Sequence, residues 1–124
     1  MIFFWQGLDF LLPIAQEFNP DVVAVSAGFD AHQLDPLLQL NLSLKSYYQC
    51  GNWLRDHFNE VFAVLEGGYN LSVIPKAIKQ FQQGCNGSGV ISDEKATISD
   101  TRIKVMFDRN LDQLDQLLNE YWRL

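Results

Sequence analysis

Two stretches decide the fold: residues 20–32 read PDVVAVSAGFDAH, and residues 61–70 read VFAVLEGGYN. Each holds a short continuous run of β-branched and other apolar residues, which is typical of a strand buried on both faces. Between them, residues 44–58 place apolar side chains along one side of a helix that Ser43 can cap. Strand, helix and strand in this order predict a right-handed βαβ unit with two parallel strands.

The rest of the chain adds helices and loops to this unit, because apolar residues recur at helical spacing before the first strand and at the end of the chain. The predicted elements are a helix at 6–18 containing Pro13, a strand at 22–26, a loop at 27–40, a helix at 44–58, a strand at 61–65, a helix from 70 or 72 to 83 with Pro75 in its first turn, a loop at 84–100 and a helix at 101–122. Two strands are not a stable sheet by themselves, and the aromatic N-terminus is apolar, so a partner surface is expected.

Composition and charge limit the classes of function. The 124 residues are 48% hydrophobic and 19% charged, which suits a soluble protein with one hydrophobic core. The net charge of −6 argues against a nucleic-acid-binding surface, and no stretch reaches the roughly 20 apolar residues of a membrane span. Cys50 and Cys85 form no CxxC pair, so we expect reduced, partly buried thiols in a cytoplasmic protein.

Polar side chains follow both predicted strands. Asp30 stands four residues beyond the end of the first strand, and Tyr69 stands four residues beyond the end of the second. In open parallel α/β sheets, ligands bind beyond the carboxyl ends of the strands. The pattern therefore predicts a site with one anionic ligand and one hydroxyl donor, but no particular reaction. Asp35, directly before Pro36, is typical of a turn.

Taken together, the two stretches, with DPL at 35–37 completing the first, resemble the signatures of the histone deacetylase superfamily. The form is nearest to acetoin-utilisation-type and class II-like members, and the similarity covers about residues 8–80. The resemblance implies an α/β fold, with residues 1–124 as the C-terminal part of a three-layer arginase/deacetylase-like domain with a parallel sheet. It also implies zinc-dependent hydrolysis of N-acetyl or related acyl amides, on lysine or on a small amine such as a polyamine.

Five residues of this chain match functional positions of that superfamily. The resemblance implies that Asp30 is a metal ligand for zinc, and that Tyr69 is the catalytic tyrosine whose hydroxyl polarises the amide carbonyl. It further implies that Leu37 lines the acyl-lysine tunnel and that Gly67 and Gly68 flank it. The absence of side chains at the two glycines would let the alkyl stem of the substrate pass close to the backbone.

The resemblance also implies what this chain lacks. The superfamily needs an Asp-x-His segment for the metal and a His-His pair for proton transfer, both upstream of the first strand. The only histidines here are His32, expected to be a loop residue, and His57, late in a helix. One carboxylate does not hold zinc usefully, so the chain is expected to be inactive alone. A separate N-terminal half of a split enzyme would supply the rest; a gene fragment and an incomplete chain are the other origins left open.

Two other functions compete with this interpretation. The first is a non-catalytic remnant or interaction module whose exposed sheet edge binds a partner chain. The second is an unrelated doubly wound ligand-binding domain. That second alternative would need a glycine-rich phosphate loop such as GxGxxG after the first strand, and the sequence contains none.

Overall fold

The computed structural model describes residues 2–122, which form two compact units. One unit contains the described residues up to Pro20 and those from Ile98 onward, and the other is Asp21–Thr97. In chain order the elements are helix α1 (Ile2–Phe18), strand β1 (Val23–Gly28), helix α2 (Leu44–His57), strand β2 (Val61–Gly67), helix α3 (Ile74–Cys85) and helix α4 (Thr101–Leu118).

The unit Asp21–Thr97 is built on one parallel pair of strands, as the order of elements predicts. β1 and β2 pair in register from Val23 opposite Val61 to Ala27 opposite Leu65, and the register shifts by one residue where Gly28 meets Gly67. The shift lies at the carboxyl ends of both strands, where irregular pairing often changes the direction of the following loops. The two loops that hold the candidate residues therefore leave the sheet side by side.

The core of this unit lies between α2, α3 and one face of the sheet. Its buried apolar residues are Phe29, Tyr47, Val73, Ala77 and Phe81. The two helices approach closely because each presents a glycine to the other. A Cβ placed on Gly84 would lie 2.0 Å from the carbonyl oxygen of Tyr48, and one on Gly51 would lie 2.2 Å from that of Phe81.

The prediction that both strands are buried on both faces is wrong for this chain, because Ala24 and Ser26 of β1 and residues 62–66 of β2 are exposed. Val25 and Ala27 of β1 pack against the helical core, so Ala24 and Ser26, which alternate with them, point to the opposite face. Phe62 and Val64 of β2 share that opposite face through the register and are 52% and 59% exposed. Apolar runs in a strand indicate residues suited to burial, but they do not say which element covers them.

The strands and α2 differ from the predicted limits by one or two residues, and the larger differences lie in α1, α3 and α4. α1 begins at Ile2 rather than residue 6 and runs through Pro13 without ending. α3 begins at Ile74, because the Asn70 carboxamide oxygen accepts the backbone N–H of Ser72 and holds residues 71–73 as a turn. α4 ends at Leu118, not at residue 122.

Other local features follow the sequence. The Ser43 N–H donates to the Ser46 hydroxyl in a capping arrangement at the start of α2, and Pro75 lies in the first turn of α3. In the unit formed by α1 and α4, the rings of Phe3 and Phe107 pack with centroids 5.2 Å apart. Within residues 2–122, no helix has the length and apolar character needed to cross a bilayer.

Candidate functional site

The candidate site lies where β1 and β2 end next to each other. The backbone N–H of Phe29, the first residue after β1, donates to the carbonyl oxygen of Gly67 at 2.8 Å. This bond continues the strand pairing by one residue into the loops. Asp30 then follows on one loop and Tyr69 on the other, so the structure brings the two predicted residues onto adjacent loops at one edge of the sheet.

The Asp30 carboxylate packs against the ends of both strands. A Cβ on Gly67 would lie 2.7 Å from Oδ2 of Asp30, and a Cβ on Gly28 would lie 3.0 Å from Oδ1. Either side chain would therefore compete with the carboxylate for space. Asp30 is half-buried, and within residues 2–122 no group donates a hydrogen bond to its carboxylate. Its oxygens therefore lie at the strand ends without a protein donor from the described part of the chain.

Phe29 anchors the loop that carries Asp30. Its ring is buried against the rings of Tyr47 and Phe81, with centroids 5.1 Å and 6.3 Å away. The Tyr47 hydroxyl donates to the Phe29 carbonyl oxygen at 3.1 Å. Burial raises the pKa of Tyr47, and negative charge developing at Cys50 and the charge of Asp30 raise it further, so the hydroxyl stays a donor. Phe29, directly before Asp30, is thus held in place by the packing of its ring and by the hydrogen bond to its backbone carbonyl.

Asp35 connects the two loops through its carboxylate. Oδ1 accepts the backbone N–H of Leu37 at 3.0 Å, and Oδ2 accepts those of Tyr69 at 2.8 Å and Asn70 at 3.2 Å. Burial raises the pKa of Asp35, but these backbone donors, with a contribution from the nearby His32, lower it more, so the net pKa lies below its ordinary value. The carboxylate is therefore held in its charged, accepting form.

His32 links the same loop to a later part of the chain. It is buried, its Nδ1 accepts the backbone N–H of Leu34 at 3.1 Å, and its Nε2 lies 3.0 Å from the Glu94 carboxylate. Glu94 also accepts the backbone N–H of Leu44, the first residue of α2, at 2.6 Å. The expectation that His32 is a loop residue is confirmed, and the Glu94 contact adds a link across 62 residues.

The remaining predicted residues lie on the same two loops with different exposures. Tyr69 is 54% exposed, so its ring is open to a ligand, and Leu37 is also exposed. Gly68 has φ of 130°, and a Cβ there would lie 3.1 Å from the Ile74 side chain and 3.2 Å from that of Phe29. Gly67 and Gly68 therefore have steric reasons within the chain itself to lack side chains, beside any role next to a substrate.

Comparisons with known proteins identify the family of this chain. The family model of the histone deacetylase domain matches residues 4–85, a range that contains both strands and both loops. This chain belongs to the histone deacetylase domain family. It is 34% identical over 91 residues to histone deacetylase 14, chloroplastic, of Arabidopsis thaliana, a match covering 69% of this chain and 22% of the relative.

Solved structures of the family have the same fold. The histone deacetylase Clr3 superposes with a TM-score of 0.76 at 28% identity, covering 98% of this chain and 20% of that one. An acetylpolyamine aminohydrolase from Burkholderia pseudomallei superposes with a TM-score of 0.60 at 27% identity, covering 65% of this chain and 24% of that one. These matches confirm the prediction of a deacetylase-like α/β fold. The chain spans about a fifth to a quarter of the length of these relatives.

The described residues do not form a zinc site of this family by themselves. Zinc sites in hydrolases use three protein ligands, and within residues 2–122 no group of three His, Cys, Asp or Glu side chains is placed to hold a metal ion. Asp30 brings one suitable oxygen donor group. Further ligands would have to come from residues outside the described part of this chain.

Two connections at the site were not assigned from the sequence. The sequence predicts Asp35 as a turn residue. The structure confirms this, because the Asp35 carboxylate accepts the backbone N–H of Leu37, two residues later in the chain. Its contacts with Tyr69 and Asn70 span 34 and 35 residues and have no local signal in the sequence. Glu94 lies beyond the residues that the family model matches, in a stretch that the sequence marks only as a polar loop.

Proposed function

We propose that this chain is the C-terminal part, residues 1–124, of a zinc-dependent deacetylase domain that hydrolyses N-acetyl amides of lysine or of small amines. The observation that carries the proposal is the Asp30 carboxylate seated between Gly28 and Gly67, on the loop adjacent to that of Tyr69. An acidic metal ligand and a phenolic donor on neighbouring strand-end loops are two of the groups that amide hydrolysis at a metal centre can use. The relatives named deacetylase and acetylpolyamine aminohydrolase support the substrate class.

Each matched residue has a part in this proposal. Asp30 is one zinc ligand, and its carboxylate has no protein donor within the described residues to compete with a metal. Tyr69 donates a hydrogen bond to the acyl oxygen as negative charge develops there, a contribution of about 3 kcal/mol for one such donor. Leu37, Gly67 and Gly68 line the passage of the acyl group, and Leu37 is exposed as that role requires.

The chain is proposed to act with an upstream segment of the domain, supplied as a separate N-terminal half or as part of a longer chain. The apolar side chains of Phe62 and Val64, more than half exposed on the sheet, support a covering segment. Without it, the chain is proposed to be inactive, because Asp30 alone does not hold zinc usefully. Its acidic charge favours acetylated amines over nucleic acid as ligands, and we propose a cytoplasmic location without membrane binding.

The test uses a reconstituted domain, defined as this chain combined with an upstream deacetylase segment. That segment is the one encoded upstream of Met1 or, where the genome encodes none, the upstream part of the Arabidopsis relative. Metal analysis is expected to find bound zinc, and an acetyl-lysine peptide or an acetylated polyamine is expected to be hydrolysed. Asp30→Ala should lose the zinc, whereas Tyr69→Phe should retain it and lower kcat about a hundredfold. Full activity in either variant would refute the role of that residue.

A second candidate function is a non-catalytic interaction module, and the exposed face of Phe62 and Val64 favours it. The same experiment separates the two functions. A chain that binds the upstream segment firmly, but neither retains zinc nor supports hydrolysis, would be such a module.

A further inference from the structure

Asp35 connects the two loops of the candidate site through both oxygens of its carboxylate. One of its carboxylate oxygens accepts a bond within its own turn, from Leu37 N–H at 3.0 Å. The other accepts two bonds from the second loop, from the N–H groups of Tyr69 at 2.8 Å and Asn70 at 3.2 Å. One side chain thus fixes the backbone of the very residue whose hydroxyl is proposed to act on the acyl group.

The Asn70 side chain makes a third hydrogen bond between the two loops, beside those of Asp35. The Asn70 amide nitrogen donates to the carbonyl oxygen of Leu34 at 2.7 Å, and Leu34 directly precedes Asp35. Consecutive residues of the first loop therefore accept bonds from consecutive residues of the second. The second loop cannot shift relative to the first without breaking both contacts.

The surroundings of Tyr69 make this restraint important. The ring is 54% exposed, so packing does little to hold it. Gly68, immediately before it, has a positive φ and no side chain, which leaves the backbone at that point free to rotate when it is not restrained. Asp35 itself is buried, and within residues 2–122 no Lys or Arg pairs with it, so its negative charge is met by the backbone N–H dipoles.

The geometry points to Asp35 as the positioning residue of Tyr69: its carboxylate holds the backbone of Tyr69 so that the phenol stays in reach of the acyl oxygen. The inference rests on the proposed function, in which Tyr69 is the hydroxyl donor. A displacement of about 1 Å at a catalytic group can cost on the order of a hundredfold in rate. Loss of the two N–H contacts is therefore expected to lower kcat without changing the zinc content.

A double-mutant cycle in the reconstituted domain tests this inference. Asp35→Asn puts an NH₂ group in place of one of the accepting oxygens, so the carboxamide cannot accept from both loops as the carboxylate does. Asp35→Asn is expected to lower kcat about tenfold, with KM changed less than about twofold. In a Tyr69→Phe background the same substitution should change kcat by less than about twofold, because the group that Asp35 positions is already gone. Asp21→Asn, the same change at an exposed aspartate, is the matched control and should leave kcat unchanged.

The outcomes separate this inference from the proposed function. Tyr69→Phe with full activity would overturn the role of Tyr69, and the positioning role with it. Tyr69→Phe with low activity, combined with an Asp35→Asn loss that is equally large in both backgrounds, would overturn the positioning role alone. Asp35→Glu, which keeps the charge but moves the carboxylate by one methylene, provides a second cycle if the asparagine variant does not fold. Amide hydrogen exchange should show faster exchange at Tyr69 and Asn70 in either variant; unchanged exchange there would also refute the inference.

Discussion

The substitution Gly67→Ala adds a single methyl group beside the proposed metal ligand. The new Cβ would lie 2.7 Å from Oδ2, 3.0 Å from Cγ and 3.2 Å from Oδ1 of Asp30. Ordinary contact between such atoms begins at about 3.4 Å, so the carboxylate would have to move by about 0.7 Å, the difference between 3.4 and 2.7. Asp30 is half-buried and its carboxylate ends a short side chain, so it can give way without moving the backbone.

The expected result is a specific loss of zinc affinity. Metal–ligand distances tolerate about 0.2 Å, so a shift of about 0.7 Å weakens the contact of Asp30 with the metal. We expect zinc affinity to fall about 10- to 100-fold, the range seen when the support of a ligand is lost. The free energy of unfolding should fall by only about 1 kcal/mol, the lower end of the cost of adding a methylene in a packed site.

The assay is competition for zinc between the reconstituted domain and a chelator, followed by urea unfolding of the same samples. Gly7→Ala is the matched control, because a Cβ at that position in α1 meets no atom within 4 Å. It should keep its zinc affinity, and alanine in the helix should not destabilise it. Zinc affinity within a factor of about two of the parent in Gly67→Ala would refute the placement of Asp30 as a ligand beside Gly67.

Two further substitutions test the contact of Glu94 with His32 and the packing of α2 against α3. Burial raises the pKa of Glu94, but the Leu44 N–H and His32 lower it more, so the pKa of Glu94 is lower in the folded than in the unfolded chain. The ionised Glu94 therefore stabilises the fold at a pH above its unfolded pKa. This stabilisation is lost as the pH falls through the folded pKa. Glu94→Gln should therefore lower the melting temperature near neutral pH, with the difference from the parent shrinking in acid; a constant difference across the titration would contradict this. Gly84→Ala should lower the free energy of unfolding, measured in urea, by about 3 kcal/mol or more, because its Cβ would lie 2.0 Å from the Tyr48 carbonyl oxygen. A loss of less than about 1 kcal/mol would show that α2 and α3 separate easily.

The composition of local segments was enough to predict most of the fold. The two β-branched runs, the Ser43 cap and the amphipathic end of the chain identify the elements, and their order identifies the parallel pair of strands. The same pattern placed Asp30 and Tyr69 on neighbouring loops, because residues that follow parallel strands leave the sheet at the same edge. The limits of α1 and α3 were less accurate, since Pro13 lies inside one helix and Asn70 forms a turn before the other.

The sequence by itself determined the helices, the strands and the residue types at the strand ends, because these depend on spacing along the chain and on the short-range geometry of the backbone. Only the tertiary structure decided that Asp35 accepts the N–H groups of Tyr69 and Asn70, that Glu94 meets His32, and that Phe62 lies exposed on the sheet. These contacts join residues 34 to 62 positions apart, or depend on which surface covers a strand. A carboxylate in a loop can accept from any N–H that the fold brings near it, and the register of β1 with β2 selects which one it meets.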